Sequence, residues 1–180
     1  MNRLASWALA VTAVMADPYS AAAQLETQLD ETMAEALVPL LVTWIEAARD
    51  SAKAAGVEPI PPPIRAALAG YVPDEVLGRV RWRVGDADFA LPPGAIRIAD
   101  VFAVTLDDVV IFKERSEALE DPKLWAHELK HVMQYGEWGI EEFARRVLRD
   151  YSAVEDEALE FRWEFMKKAG LTPPPGQPLE

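Results

Sequence analysis

Apolar residues recur at helical spacing over most of this chain, and at alternating spacing only in one central block. Leu25, Leu29, Met33, Ala36 and Leu37, then Leu40, Leu41, Trp44, Ile45 and Ala48, predict an amphipathic helix over Leu25–Ala55. Pro39 lies inside this run and predicts a kink or split, and Gly56 predicts its end. Val57–Pro63, VEPIPPP, reads as a stiff extended connector. Ile64–Ala69 and Asp74–Gly78 read as two short helices on either side of Gly70-Tyr71-Val72-Pro73.

The period then changes. Val80-Arg81-Trp82-Arg83-Val84 alternates apolar and charged residues, the pattern of a half-buried strand. Gly85-Asp86 reads as a turn, Asp88–Leu91 as irregular and Ala95–Ala99 as a further strand. Phe102–Leu106 and Val109–Lys113, joined by Asp107-Asp108, form a hairpin pattern with β-branched and aromatic arms. Helical spacing returns at Asp121–Gly136, DPKLWAHELKHVMQYG. Asp121 is a natural N-cap, Pro122 suits the first turn and Gly136 offers a left-handed terminus. Trp125, Leu129, Val132 and Met133 form its core-facing stripe. Glu141–Leu148 and Tyr151–Lys168 follow as helices, the first presenting Phe143, Ala144 and Val147 and the second Val154, Ala158, Phe161 and Phe165. Gly170–Glu180, rich in proline, reads as a loose tail. Helices, a small antiparallel sheet and then helices again make an α+β layout, with the sheet packed on the 121–136 helix.

Composition narrows the function classes. A net charge of −12 and a pI of about 4.6 argue against nucleic acid and anionic membrane surfaces as partners. The absence of cysteine excludes disulfides, thiolate catalysis and Cys-based zinc sites. Met1-Asn2-Arg3, the apolar run Leu4–Ala16 and Ala21-Ala22-Ala23 have the shape of a secretory signal with cleavage after Ala23. That shape predicts a periplasmic or secreted protein. Its apolar run is too short to span a bilayer, so no integral membrane segment is expected after signal removal. The expected organisation is therefore a signal over 1–23, a helical segment and connector over 24–63, a metal-binding domain over 64–170 and a tail over 171–180.

Both histidines of the chain fall in one pentapeptide, His127-Glu128-Leu129-Lys130-His131. Residues four apart share a helix face, so the two imidazoles can reach one zinc ion, Zn2+, while Glu128 acts on water. A catalytic zinc site commonly takes a third protein ligand, and with no further histidine it must be a carboxylate. Glu155 and Glu157 flank the apolar stripe of the last helix, whereas Asp156 points to solvent. Periodicity does not separate the two glutamates.

HELKH followed downstream by Glu155-Asp156-Glu157-Ala158 resembles the gluzincin type of zinc metallopeptidase, whose third ligand is a glutamate on a later helix, often within Glu-x-x-Ala-Asp. The longer string WAHELKHVMQYGEWGIEEFARR is similar to bacterial HExxH proteins of unknown function, some associated with contractile injection systems. The resemblance covers Phe102–Ala158, about a third of the chain. It implies a zincin-like fold, with His127, His131 and Glu155 as metal ligands and Glu128 as general base. It also implies a peptide or protein substrate. Leu159 departs from the pattern at the aspartate that orients a ligand histidine, a role left to Asp156, Glu157 or a backbone carbonyl. An oxyanion donor would have to come from Tyr135, Tyr151, Arg145 or Arg146, and a strand of 102–113 could bind an extended peptide along its edge. The competing function is a secreted zinc-binding interaction domain without proteolytic activity, and a third is a helical scaffold without metal. Oligomeric state has no signature in the sequence.

Overall fold

The structure, a computed structural model, describes residues 18–85 and 102–171, with side chains from residue 31 onward. The elements run α1 (Pro18–Ala54), β1 (Glu58–Pro59), α2 (Pro62–Leu68), α3 (Asp74–Arg79), β2 (Arg81–Val84), β3 (Ala103–Leu106), β4 (Val109–Phe112), α4 (Arg115–Glu120) and α5 (Pro122–Lys168). The layout is α+β and mostly helical. The apolar leader Leu4–Ala16 and the strand read at Ala95–Ala99 lie outside the described residues, and Ala21–Ala23 fall in the first turns of α1.

The sheet has the order β1-β2-β4-β3 and is mixed, not the antiparallel sheet that the hairpin pattern predicts. β3 and β4 form the expected antiparallel hairpin, with Leu106 opposite Val109 across Asp107-Asp108. β2 instead runs parallel to β4, Trp82 opposite Val110. A parallel neighbour needs a long crossover, and more than twenty residues separate these strands. β4 is buried at all four positions, which is why it reads Val-Val-Ile-Phe without alternation. The expected connector supplies β1 at one outer edge, where the missing N–H of Pro59 costs no ladder bond.

β4 divides the apolar interior by parity. Val110 and Phe112 join Trp82, Trp125, Leu129 and Val132 on one face, and Val109 and Ile111 join α1, Tyr135 and Phe143 on the other. The buried face of α1 is Ala34, Val38, Ile45, Ala48 and Ala52. Met33, Leu37 and Leu40 are 63%, 37% and 50% exposed, so the first half of the predicted stripe is rotated from the real one, whereas Ile45 and Ala48 of its second half are buried as read. Both faces of that segment are rich in apolar residues, and the sheet selects between them. Nor does Pro39 split α1, which runs through it with Thr43 Oγ1 donating to Pro39 O at 2.8 Å. The lost backbone bond at Pro39 is offset by packing on both sides, at Val38 and Ile45. Arg49 and Lys53 pair with Asp107 and Asp108, tying the hairpin turn to α1.

Two non-helical residues divide α5 into three helical stretches, close to the predicted breaks. The first is Gly139 (φ 78°, ψ 165°), not Gly136. Gly136 stays helical, and a Cβ there would lie 2.8 Å from Arg79 Nη2, the far end of a side chain whose guanidinium donates to Val132 O and would have to shift. The conformation of Gly139 is open to glycine almost alone. Gly139→Ala is expected to lower the unfolding free energy by about 1–3 kcal/mol, measured by urea denaturation. The second break is Asp150, whose Oδ1 accepts from Ala153 N and caps the last stretch. α4 is an element the periodicity does not reveal. Its signal is a capping box, Glu114 with Glu117, in which the Glu117 carboxylate accepts from Glu114 N at 3.0 Å.

Candidate metal centre

The HExxH segment begins where the sequence places it. Asp121 Oδ1 accepts from Lys123 N and Leu124 N at 2.9 and 3.1 Å, and Pro122 occupies the first turn. Trp125, Leu129 and Val132 are fully buried, and Trp125 Nε1 donates to Ala118 O at 2.7 Å. These anchors fix the rotation of the helix and therefore where His127 and His131 point. The reversals at Gly139 and Asp150 bring the last stretch of α5 back against the first, with Val154 and Ala158 buried between them.

That return delivers Glu155 to the two histidines, and not Glu157. His127 Nε2 lies 3.2 Å from His131 Nε2 and 3.3 Å from Glu155 Oε2, and His131 Nε2 lies 3.4 Å from Glu155 Oε1. Zinc bonds of ~2.0–2.1 Å at tetrahedral angles require ligand atoms ~3.3–3.4 Å apart. The two Glu155 contacts use different oxygens, and one ligand atom from each residue lies within 4.8 Å of the others, so the three residues could hold a metal ion. Glu157 faces Lys130 Nζ at 3.0 Å and Gln134 Nε2 at 3.1 Å instead, and Asp156 is exposed as expected.

Three residues missing from the predicted site surround it. Gln134, wholly buried, meets His131 Nδ1 with its Oε1 at 2.8 Å, where the gluzincin pattern would use the position of Leu159. A glutamine three residues beyond the second histidine, on the same helix face, was the available signal. Thr105 of β3 donates to Glu128 Oε2 at 2.7 Å and holds that carboxylate, itself 4% exposed, beside the cluster. Lys130 reaches the site only through Glu157. Of the four predicted oxyanion donors, Tyr151 alone lies beside the cluster: partial burial of its phenol and the charge of Glu155 push its pKa up, while the residue as a whole is 36% exposed. Tyr135 stacks on Phe143 and donates to Thr105 O, Arg145 is held by Glu35, Glu141 and Glu142, and Arg146 by Glu142 and the Trp138 ring.

Without metal, the cluster pairs an imidazolium with a carboxylate whenever His131 is protonated. Burial of His131 pushes its pKa down, but the bond to Glu155 and the charges of Glu128 and Glu155 outweigh it, so the net direction is up from 6.5. Burial pushes Glu155 up, and the bonds from His127 and His131 more than reverse this, leaving it well below the usual carboxylate range. The His131 contribution to stability is complete below its unfolded value of 6.5 and is lost as pH rises through the raised folded value. The Glu155 contribution is complete above its unfolded value of 4.5 and is lost as pH falls through the depressed one. Chelated protein is therefore expected to be most stable between pH 4.5 and 6.5. Its urea midpoint should be higher at about pH 5.5 than at about pH 8.5, and equal midpoints would refute the pairing.

Residues 59–139 match the family model of the eCIS core domain, named for extracellular contractile injection systems. This accords with the similarity of the HExxH string to proteins associated with such systems. The matched stretch opens in β1 and closes at Gly139, the first break in α5. It holds His127, Glu128, His131 and Gln134 and stops short of Glu155. No curated protein and no solved structure matches the chain. No described helix is long and apolar enough to cross a membrane.

Proposed function

We propose that the protein is a zinc-dependent peptidase of zincin type, periplasmic or secreted, that works in the setting of an extracellular contractile injection system. The observation that carries this reading is the convergence of His127, His131 and Glu155 beside a buried Glu128 held by Thr105. A zinc ion at that point supplies Lewis-acid polarisation of a carbonyl and acidifies water. Glu128, with Oε2 engaged by Thr105, uses Oε1 to take a proton from water and deliver it to the leaving amine. Tyr151, beside Glu155, offers its hydroxyl to the developing oxyanion.

β3 offers the substrate a place to lie. It is the outer strand of the sheet, and Lys113 N donates to Phe102 O, so the even-numbered residues of the strand turn their backbone groups towards β4. Ala103 and Thr105 turn theirs away from β4, where the Tyr135 hydroxyl already meets Thr105 O at 3.5 Å, and Thr105 is also the residue that holds Glu128. An extended peptide paired with that edge brings its carbonyls to the metal-ligand cluster. Zinc-loaded protein is expected to cleave an unstructured polypeptide such as reduced, alkylated lysozyme, to stop on chelation and to resume on addition of zinc. No cleavage by fully loaded protein would overturn the peptidase reading.

A second reading, a zinc-binding interaction domain, draws on the burial of Glu128 and on the family match that ends before the third donor. It requires zinc to be retained with no hydrolysis of any polypeptide.

A further inference from the structure

We infer that Gln134 makes the two histidines inequivalent: it fixes His131 in the Nδ1–H tautomer, its bare Nε2 facing the cluster, while His127 carries its proton on Nε2 until a metal takes that place. The inference rests on the metal-site reading above and assigns Gln134 a positioning role in it.

The argument is a count of donors and acceptors. Gln134 is 0% exposed, so water does not complete its bonds. Its Nε2 lies 3.1 Å from Val154 O and 3.1 Å from Glu157 Oε2. A backbone carbonyl and a carboxylate only accept, so both demand amide hydrogens. Turning the amide over would set its oxygen against both at once. Glu157 is itself held by Lys130 Nζ at 3.0 Å, which keeps this acceptor in place. The amide oxygen must then face His131, and His131 Nδ1, 2.8 Å away, must be the donor. A neutral imidazole has one N–H, so neutral His131 keeps a lone pair on Nε2, which lies 3.2 Å from His127 Nε2, the donor it can accept from, and 3.4 Å from Glu155 Oε1.

His127 is governed by the opposite circumstance. Its Nδ1 is buried and has no hydrogen-bond partner among the described residues, so a proton there would be an unpaired buried donor. Its Nε2 faces two acceptors, the bare Nε2 of His131 at 3.2 Å and Glu155 Oε2 at 3.3 Å. The metal-free site therefore favours Nε2–H on His127. Metal capture uses His131 as it stands, whereas His127 must first give up or move its proton. An outer partner that sets the tautomer of a ligand histidine typically changes metal affinity by ~10–100-fold.

The chain has two histidines, so imidazole spectra contain two ring systems only. Long-range 1H–15N correlation on chelated, 15N-labelled full-length protein, followed along a rising pH series until both rings are neutral, reads each tautomer directly. Wild type is expected to show His131 with a protonated Nδ1 and His127 with a protonated Nε2. In Gln134→Met, His131 should shift to the Nε2–H or an averaged pattern, and its zinc dissociation constant, from competition with a chelating dye, should rise about 10–100-fold. An averaged or Nε2–H pattern for His131 in wild type overturns the inference. So does a Gln134→Met protein with a native backbone fingerprint, unchanged tautomers and unchanged zinc affinity. Should Gln134→Met not fold, the wild-type spectrum decides alone. A wild-type protein with the expected tautomers that takes up no zinc upholds the lock by Gln134 and defeats the metal reading instead.

Discussion

Glu155→Ala is expected to reduce bound zinc from about one ion per chain to background, and His127→Ala and His131→Ala to do the same. Each removes one of three residues whose ligand atoms lie within 4.8 Å of one another. Two protein ligands rarely retain zinc against bulk chelation. The three variants differ in their cost to the fold, which makes them informative together. His131 is 6% exposed, and its loss leaves Gln134 Oε1 buried without its donor, an expense of ~1–3 kcal/mol. The side chains of His127 and Glu155 are 13% and 25% exposed, so their variants test ligation with less damage to packing. Mass spectrometry of the native protein gives the stoichiometry, and thermal unfolding gives the linkage. At free zinc a thousandfold above the dissociation constant, wild type gains about 4.1 kcal/mol, which for a chain of this size raises Tm by roughly 8–16 °C. The variants should gain nothing. Retention of zinc by Glu155→Ala would move the third donor elsewhere, with Glu157, two residues on and already tied to Gln134, the first place to look.

What made the candidate metal cluster readable is that most of it lies on one face of one helix. His127 and His131 are fixed by spacing, and the anchors Trp125, Leu129 and Val132 by the same period, so local sequence carries both the site and its orientation. The third donor was narrowed to two glutamates by the apolar stripe that they flank. The choice between them depends on how the last stretch of α5 docks, which is a property of the breaks at Gly139 and Asp150. The supports came from longer range still. Thr105 reaches Glu128 across 23 residues, through a strand whose outer position depends on β4 pairing parallel with β2. No alternation within 102–113 encodes that pairing. The face of α1 was misjudged for a related reason: its sequence is apolar on two sides, and only contact with Val109, Ile111 and Tyr135 favours Val38 over Leu37. Pro39 predicts a break from its own chemistry, but flanking buried residues decide the outcome. Local rules succeeded where one element holds the answer and failed where two elements share it.

Glu128→Gln separates catalysis from ligation in the same site. Thr105 Oγ1 donates to Glu128 Oε2 at 2.7 Å, and the amide oxygen of a glutamine can accept that same bond. The substitution therefore preserves shape and packing, leaves His127, His131 and Glu155 untouched, and removes only the carboxylate that takes a proton. If Glu128 is the general base, kcat should fall by ~10²–10⁴, about 2.7–5.4 kcal/mol of transition-state stabilisation, while zinc content stays at the wild-type level. Thr105→Val is the companion. It keeps the strand and the volume but frees the carboxylate to leave its position, and should lower kcat less than Glu128→Gln does. Hydrolysis that survives Glu128→Gln at full zinc loading would exclude this residue as the base. If instead neither wild type nor variant hydrolyses polypeptide, and both bind zinc equally well, the cluster is a structural clasp. Its role is then to pin the last stretch of α5 onto the first, where Val154 and Ala158 already meet the buried side of the metal helix.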